Sequence, residues 1–294
     1  MNVEKHLQSK YLQTKYSQTN QQTWDEWATI HMQSSPTYPV EEFKAGKVGQ
    51  RPNIPDDIGS LEGKSVLHLQ CHFGMDTLMW AKQGAQITGV DFSRSAIQGA
   101  RALNREMGLD AEFILSDIYE LPKVLTREFD IIITYYGTVV WLQDLVRWAD
   151  IIAWYLKPNG FFYMADAHPF VHMLEANPDE PRPYVNYPYF TAGQAIGCQS
   201  DHGTYANPNA KTVNRTTYQW THSLSDIINS LINTDLMIEY LHEFPYTSHE
   251  MFHNSENSLM VQGADGWWRL KGELQLPLMF SLQARKQFNL HIDS

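Results

Sequence analysis

The stretch SVLHLQCHFGMDTLMW, residues 65–80, decides how the rest of the chain is read. Val66, Leu67 and Leu69 make an apolar run of strand length. Leu78, Met79 and Ala81 begin a helical face, with Asp76 placed to cap the helix. Between strand and helix lies a tight turn with one glycine, Gly74. Turns of this kind bind the nucleotide part of a cofactor, usually with several glycines that let the main chain approach the ligand.

Outward from this stretch, short apolar runs alternate with helical patterns as far as Ala167. DTLMWAKQG reads as a helix ended by Gly84, and QITGVDFS as a second strand. SAIQGARALNREMG is a helix closed by Gly108, AEFILSD a third strand and FDIIITYYG a fourth. DLVRWADIIAWYLKPNG reads as a helix closed by Pro158 and Gly160, and FFYMADAHP as a fifth strand. Strands separated by helices imply right-handed crossovers and a mostly parallel sheet covered on both faces.

From Pro169 to Arg215 prolines, asparagines and the cluster YVNYPYF interrupt this rhythm, as expected of a functional insertion packed over the sheet's edge. Regular pattern then returns. Ser223 caps SLSDIINSLINT, and MIEYLHEFP and LPLMFSLQARK are two strands with only a polar loop between them. Without a crossover helix those two strands should pair antiparallel.

The 294 residues suit one large core with a cap. A formal charge of -11, with no basic run to track a phosphate backbone, argues against nucleic acid. Two cysteines, Cys71 and Cys198, imply no disulfide framework. With no apolar leader and no span-length apolar run, the expectation is a soluble cytoplasmic protein.

Five parallel strands followed by helix, strand and antiparallel strand resemble the S-adenosylmethionine-dependent methyltransferases of the Rossmann-like class I superfamily, small-molecule type. The resemblance covers roughly residues 58–167 and 218–286. It implies an α/β three-layer sandwich around a seven-stranded, mostly parallel sheet with the last strand antiparallel. An N-terminal helical cap (1–57), a cofactor-binding half (58–167), an insertion after strand five (168–216) and a C-terminal helix and β-hairpin (217–294) then make one domain. VLHLQCHFGMD aligns with the family's usual VLDLGCGTGRD, so His68 stands in the acid's place and Gln70 and His72 replace two glycines, while Gly74 is kept.

The resemblance implies cofactor contacts from Leu69, Gln70, Cys71, His72, Gly74 and Asp76. Gln70 and His72 must either tolerate the glycine backbone path or project their side chains beside the ligand's amino-acid end, and the second is expected. In TGVDFSRSAI, Asp91 ends strand two, where a carboxylate can accept from both ribose hydroxyls; Phe92 would pack on adenine and Ser93 cap the next helix. Asp117 resembles the family position that accepts from the adenine amino group, with the Ile118 N–H on the ring. By the same resemblance Tyr135 and Tyr136 should face the sulfonium region, and they replace the Asn-Pro-Pro-Tyr or Asp-Pro-Pro-Tyr of methyltransferases that act on amino groups of bases. Tyr11 and Trp24 belong to an aromatic N-terminal segment expected to close over the cofactor as a lid that orders on binding.

His168 and Asp166, at the end of strand five, and His222, ahead of the last helix, are the candidate catalytic groups where a general base is needed. HEMFH (249–253) matches a zinc-protease pattern but falls in a predicted loop, where the two histidines share no helix face. Pro169 breaks the spacing of Asp166, His168, His172 and Glu175, so no metal is expected. The expected activity moves a methyl group from S-adenosyl-L-methionine to a small molecule, leaving S-adenosyl-L-homocysteine. An adenosyl-ligand binder without turnover and an NAD-dependent oxidoreductase are the alternatives, and acceptor and oligomeric state stay open.

Overall fold

The computed structural model describes residues 3–33, 35–47, 58–177, 180, 182–252 and 258–287; for 3–13 it gives the helical backbone without side chains. Strands β1 (Ser65–Leu69), β2 (Gln86–Asp91), β3 (Glu112–Leu115), β4 (Phe129–Tyr135) and β5 (Leu156–Ala167) lie parallel. With β10 (Leu236–Phe244) and β13 (Met279–Lys286) they form a seven-stranded sheet of order β3-β2-β1-β4-β5-β13-β10. The last strand runs antiparallel to both its neighbours, inserting between β5 and β10.

Alternation along each strand splits the core in two. On one face Val66, Ile131 and Ile133 pack with α1 (Val3–His31), α2 (Val40–Lys44), α3 (Met75–Lys82) and α4 (Arg94–Glu106). On the other, Leu67, Leu69 and Ile132 pack with α5 (Leu145–Tyr155) and α6 (Leu224–Ile232). The Ser93 hydroxyl caps α4 by accepting from Ala96 N, and Ser223 with Asp226 forms a full capping box on α6.

Three local readings are corrected. Gly74, left-handed at φ 75°, caps α3, and Asp76 falls in its first turn, where the helix dipole favours a carboxylate. Helix α5 ends at Tyr155, and Pro158-Asn159-Gly160 lies inside β5 as an irregularity, with Asn159 at φ 64°. The insertion and the link before β13 contain short strand pairs: β6 (Leu174–Glu175) with β7 (Tyr184–Val185), β8 (Ala195–Gln199) with β9 (Thr216–Trp220), and β11 (Met260–Gln262) with β12 (Trp268–Leu270). The insertion and that link share a small core of Val171, Leu174, Phe252, Leu259, Met260, Leu270 and Leu278.

Helix α1 is tied in mainly by polar side chains. The Asn20 amide donates to Tyr218 O (2.7 Å) and accepts from Tyr218 N (2.8 Å), completing the free edge of β9 as a neighbouring strand would. Thr23 Oγ1 donates to Thr216 O (2.9 Å), and the Glu26 carboxylate accepts from Val213 N and Asn214 N, both at 2.7 Å. On the other side Gln21 donates to Phe92 O (2.7 Å), and Asp25 Oδ1 accepts from Ser93 Oγ (2.7 Å) and Ser95 N (3.0 Å). Met32 fills the notch left by Gly99, where a Cβ would stand 1.9 Å from its sulfur. The helix therefore joins the insertion to the tip of β2.

Candidate functional site

The carboxyl ends of β1–β4 open into one cavity, covered by α1 and the insertion. The chain turns sharply as it leaves β1. Gln70 and His72, where glycines are usual in the resembling family, hold left-handed backbones at φ 55° and 53°. This region costs a side-chain-bearing residue of order 1–2 kcal/mol, so the turn is over-determined by its surroundings. Gly74 is a glycine for a packing reason as well, since a Cβ there would meet the Phe113 ring at 2.5 Å.

Both replacement side chains are held. The Gln70 amide donates from Nε2 to Thr138 O (3.0 Å), leaving Oε1 buried without a partner. The His72 ring shares a hydrogen bond with His31, Nε2 to Nδ1 at 2.9 Å, and meets Trp24 edge-on at 5.4 Å. Burial drives the pKa of His72 well down and that of the fully buried His31 to about 4, so both imidazoles are neutral. His68, in the acid's place, is neutral too, held to about 3 by burial. Its Nδ1 lies 2.8 Å from Thr77 Oγ1, and its ring stacks on Tyr135 with 6° between planes.

At the tip of β2, Asp91 is 8% exposed. Its oxygens accept from His72 N and Ser93 N, each at 2.8 Å, with lone pairs left over. Burial pushes its pKa up to about 6, against those two N–H bonds. At the tip of β3, Asp117 accepts from Tyr119 N (2.8 Å), and burial again raises its carboxyl.

Leu69, Gln70, Cys71, His72, Gly74, Asp76, Asp91, Phe92, Asp117, Ile118, Tyr135 and Trp24 all line this cavity. Ser93 does not; it is fully buried as the α4 cap, and its backbone N–H holds Asp91. The Tyr11 side chain lies outside the described residues.

Asp166, His168 and His222 do not line the cavity. Asp166 accepts from Gly137 N (2.6 Å), Thr138 N (2.9 Å), Thr138 Oγ1 (2.8 Å) and Val139 N (3.0 Å), so it clamps the loop after β4. His168 Nδ1 accepts from Phe170 N, and its Nε2 lies 2.9 Å from Glu243. His222 Nε2 lies 2.6 Å from Leu142 O. Asp166 and His222 thus hold loops, and His168 holds the turn after β5 through Nδ1.

The residues 249–252 are not helical, and His253 lies outside the described residues. Among the described residues no group of three or more His, Cys, Asp or Glu is arranged to hold a metal ion.

The sequence reading missed other parts of the wall, among them Ser17 and Asn20 on α1, Tyr38, Thr138, Trp141 and Gln143 after β4, and Tyr205 in the insertion. One signal was available, because Ser17, Asn20 and Trp24 recur at helical spacing on one face. Trp24 meets Trp141 edge-on at 5.2 Å, and the Tyr38 and Tyr205 hydroxyls lie 2.5 Å apart.

Comparison with known proteins finds a matching domain and a similar fold. The methyltransferase domain family matches residues 66–160. The ubiquinone biosynthesis O-methyltransferase of Salmonella arizonae is 23% identical over 132 residues, 45% of this chain and 52% of that protein. The Bordetella pertussis enzyme of the same name is 27% identical over 112 residues, 38% and 46% of the two chains. The chain thus spans about half the length of the curated relatives it matches. An S-adenosylmethionine-dependent methyltransferase structure from Mesorhizobium loti superposes with a TM-score of 0.56 at 19% identity, covering 80% of this chain and 96% of that one. A likeness at that identity speaks to the fold, and it is the fold read above. Residues 66–160 thus match the methyltransferase domain family, and the sheet that contains them has the fold of Rossmann-like S-adenosylmethionine-dependent methyltransferases.

Proposed function

We propose that this chain transfers the methyl group of S-adenosylmethionine to a small-molecule acceptor. The observation that carries the reading is the row of groups across the strand tips: Asp117 and Ile118 after β3, Asp91 and Phe92 after β2, and the Gln70–Gly74 turn after β1, all in one cavity. These residues fit an adenosyl ligand. A buried carboxylate with spare lone pairs suits two ribose hydroxyls, and the unpaired Gln70 oxygen suits a donor further along the ligand.

In this reading Asp91 takes the ribose, Asp117 the adenine amino group and the Ile118 N–H the ring, with Phe92 against the adenine face. When bound, the cofactor supplies an electrophilic methyl on a sulfonium. The protein's part is to hold the acceptor in line and keep water out. Trp24, Trp141 and Tyr205 supply the walls of the acceptor end, where aromatic rings suit a cationic sulfonium beside an apolar acceptor. Asp166, His168 and His222 act through the loops they hold, so an acceptor that loses a proton would pass it to water or to a group of the cavity itself. The small-molecule acceptor and the cytoplasm belong to this proposal; among the described residues no helix is long and apolar enough to cross a membrane.

Labelled methyl transfer from S-adenosylmethionine into a metabolite extract tests the reading. A labelled small product is expected. Tight cofactor binding with no acceptor in broad extracts would instead favour an adenosyl-ligand binder, which the engagement of all three candidate bases also permits.

A further inference from the structure

The Gln70 amide is fixed at one end and bare at the other. Its Nε2 donates to Thr138 O, an atom that only accepts, so the partnerless buried atom is the carbonyl oxygen. A carbonyl oxygen sealed from water without a donor is costly, and it sits in a residue that lines the cavity. Thr138 is itself held, because Asp166 accepts from the backbone N–H groups of residues 137–139 and from the Thr138 hydroxyl. A chain of bonds thus runs from the tip of β5, through the loop after β4, to a side chain at the tip of β1.

The sheet order says what part of a ligand lies there. With adenine over β3 and ribose over β2, the remainder of the molecule must extend over β1 and β4, the next two strands. Gln70 follows the first and Thr138 the second.

Resting on the functional reading above, we infer that Gln70 Oε1 accepts from the α-ammonium of the cofactor's methionine end, and that Asp166 is a positioning residue that aims it through Thr138. The residue that departs from the family's glycine is then a specificity element. A carbonyl oxygen accepts from an ammonium and offers nothing to a carboxylate, so the polarity of the tail is fixed as well.

The test compares two probes by calorimetry on the full chain: S-adenosylhomocysteine, and 5′-methylthioadenosine, which keeps the nucleoside and thioether but lacks the amino acid. Gln70→Leu should weaken S-adenosylhomocysteine about tenfold or more, by loss of a hydrogen bond to a charged group, and leave methylthioadenosine within about twofold. Gln70→Gly restores the glycine that φ 55° favours, so it folds, yet it should show the same selective loss. Asp166→Asn should weaken S-adenosylhomocysteine more than methylthioadenosine, a split that a purely structural role would not produce. Equal loss for both probes, or none, overturns the inference while the functional reading stands. A parent chain that takes up neither probe overturns the reading and the inference together.

Discussion

Asp91 offers the sharpest perturbation, because the same carboxylate governs folding and binding with opposite pH dependence. Consider Asp91→Asn. In the parent, burial raises the folded pKa to about 6 from an ordinary 3.8. Between those values the folded chain keeps a proton that the unfolded chain has released, so this group's contribution to stability falls as pH rises from about 4 to about 6. The gap corresponds to about 3 kcal/mol at most. The variant lacks that slope, so its stability relative to the parent, from urea unfolding, should improve steadily over that window. Binding runs the other way. Ribose hydroxyls donate better to an ionised carboxylate, so the parent's affinity for S-adenosylhomocysteine should climb through pH 6 and level off. The variant should be flat, and at pH 8 about ten- to a hundredfold weaker, for the loss of about 1.5 to 3 kcal/mol. Calorimetry at pH 5, 6.5 and 8 measures it. Equal affinities at pH 8, or parallel pH profiles, would refute the reasoning.

The buried imidazoles predict a separate acid lability. His31 and His68 are protonated near pH 6.5 when unfolded but only near 4 and 3 when folded, so each removes about 1.4 kcal/mol of stability per pH unit on acidification below 6.5. Two such groups outweigh Asp91, so urea midpoints should fall between pH 7 and 5; an unchanged midpoint would disprove the neutral-imidazole picture. Thr77→Val leaves His68 Nδ1 unpaired in the core and should cost about 1–3 kcal/mol in chemical unfolding, whereas a neutral outcome would mean that the bond does not form in solution. Glu26→Ala removes the acceptor for Val213 N and Asn214 N, so hydrogen exchange at those amides should accelerate while the sheet's amides keep their protection. Uniform protection in parent and variant would show that α1 is not fastened there.

The sheet was legible because its central strands β1, β2 and β4 are largely apolar on both faces and its helices carry their own start residues, such as Ser93 and Ser223. The aspartates after β2 and β3, which strand ends and the family resemblance together point to, line the cavity. What could not be read depends on distant partners. Asp166, His168 and His222 stand at element ends, which made them look available for chemistry. The partners they meet lie far along the chain, Thr138 for Asp166 and Leu142 for His222 across 28 and 80 residues, and Glu243 for His168 on another strand. Likewise, the bonds that tie α1 to β9 and to the residue after β2 go to backbone atoms that carry no sequence signal. The left-handed Gln70 and His72 were foreseen as one of two options, and both features coexist: each keeps the glycine path and directs a side chain into the cavity wall.

The most direct measurement is a crystal structure of the chain with S-adenosylhomocysteine. The account predicts both ribose hydroxyls on the Asp91 carboxylate, adenine beside Asp117 and Ile118, and the homocysteine tail running over β1 toward Gln70. A ligand seated elsewhere, or tight binding of NAD in that cleft in preference to the adenosyl thioether, would contradict it.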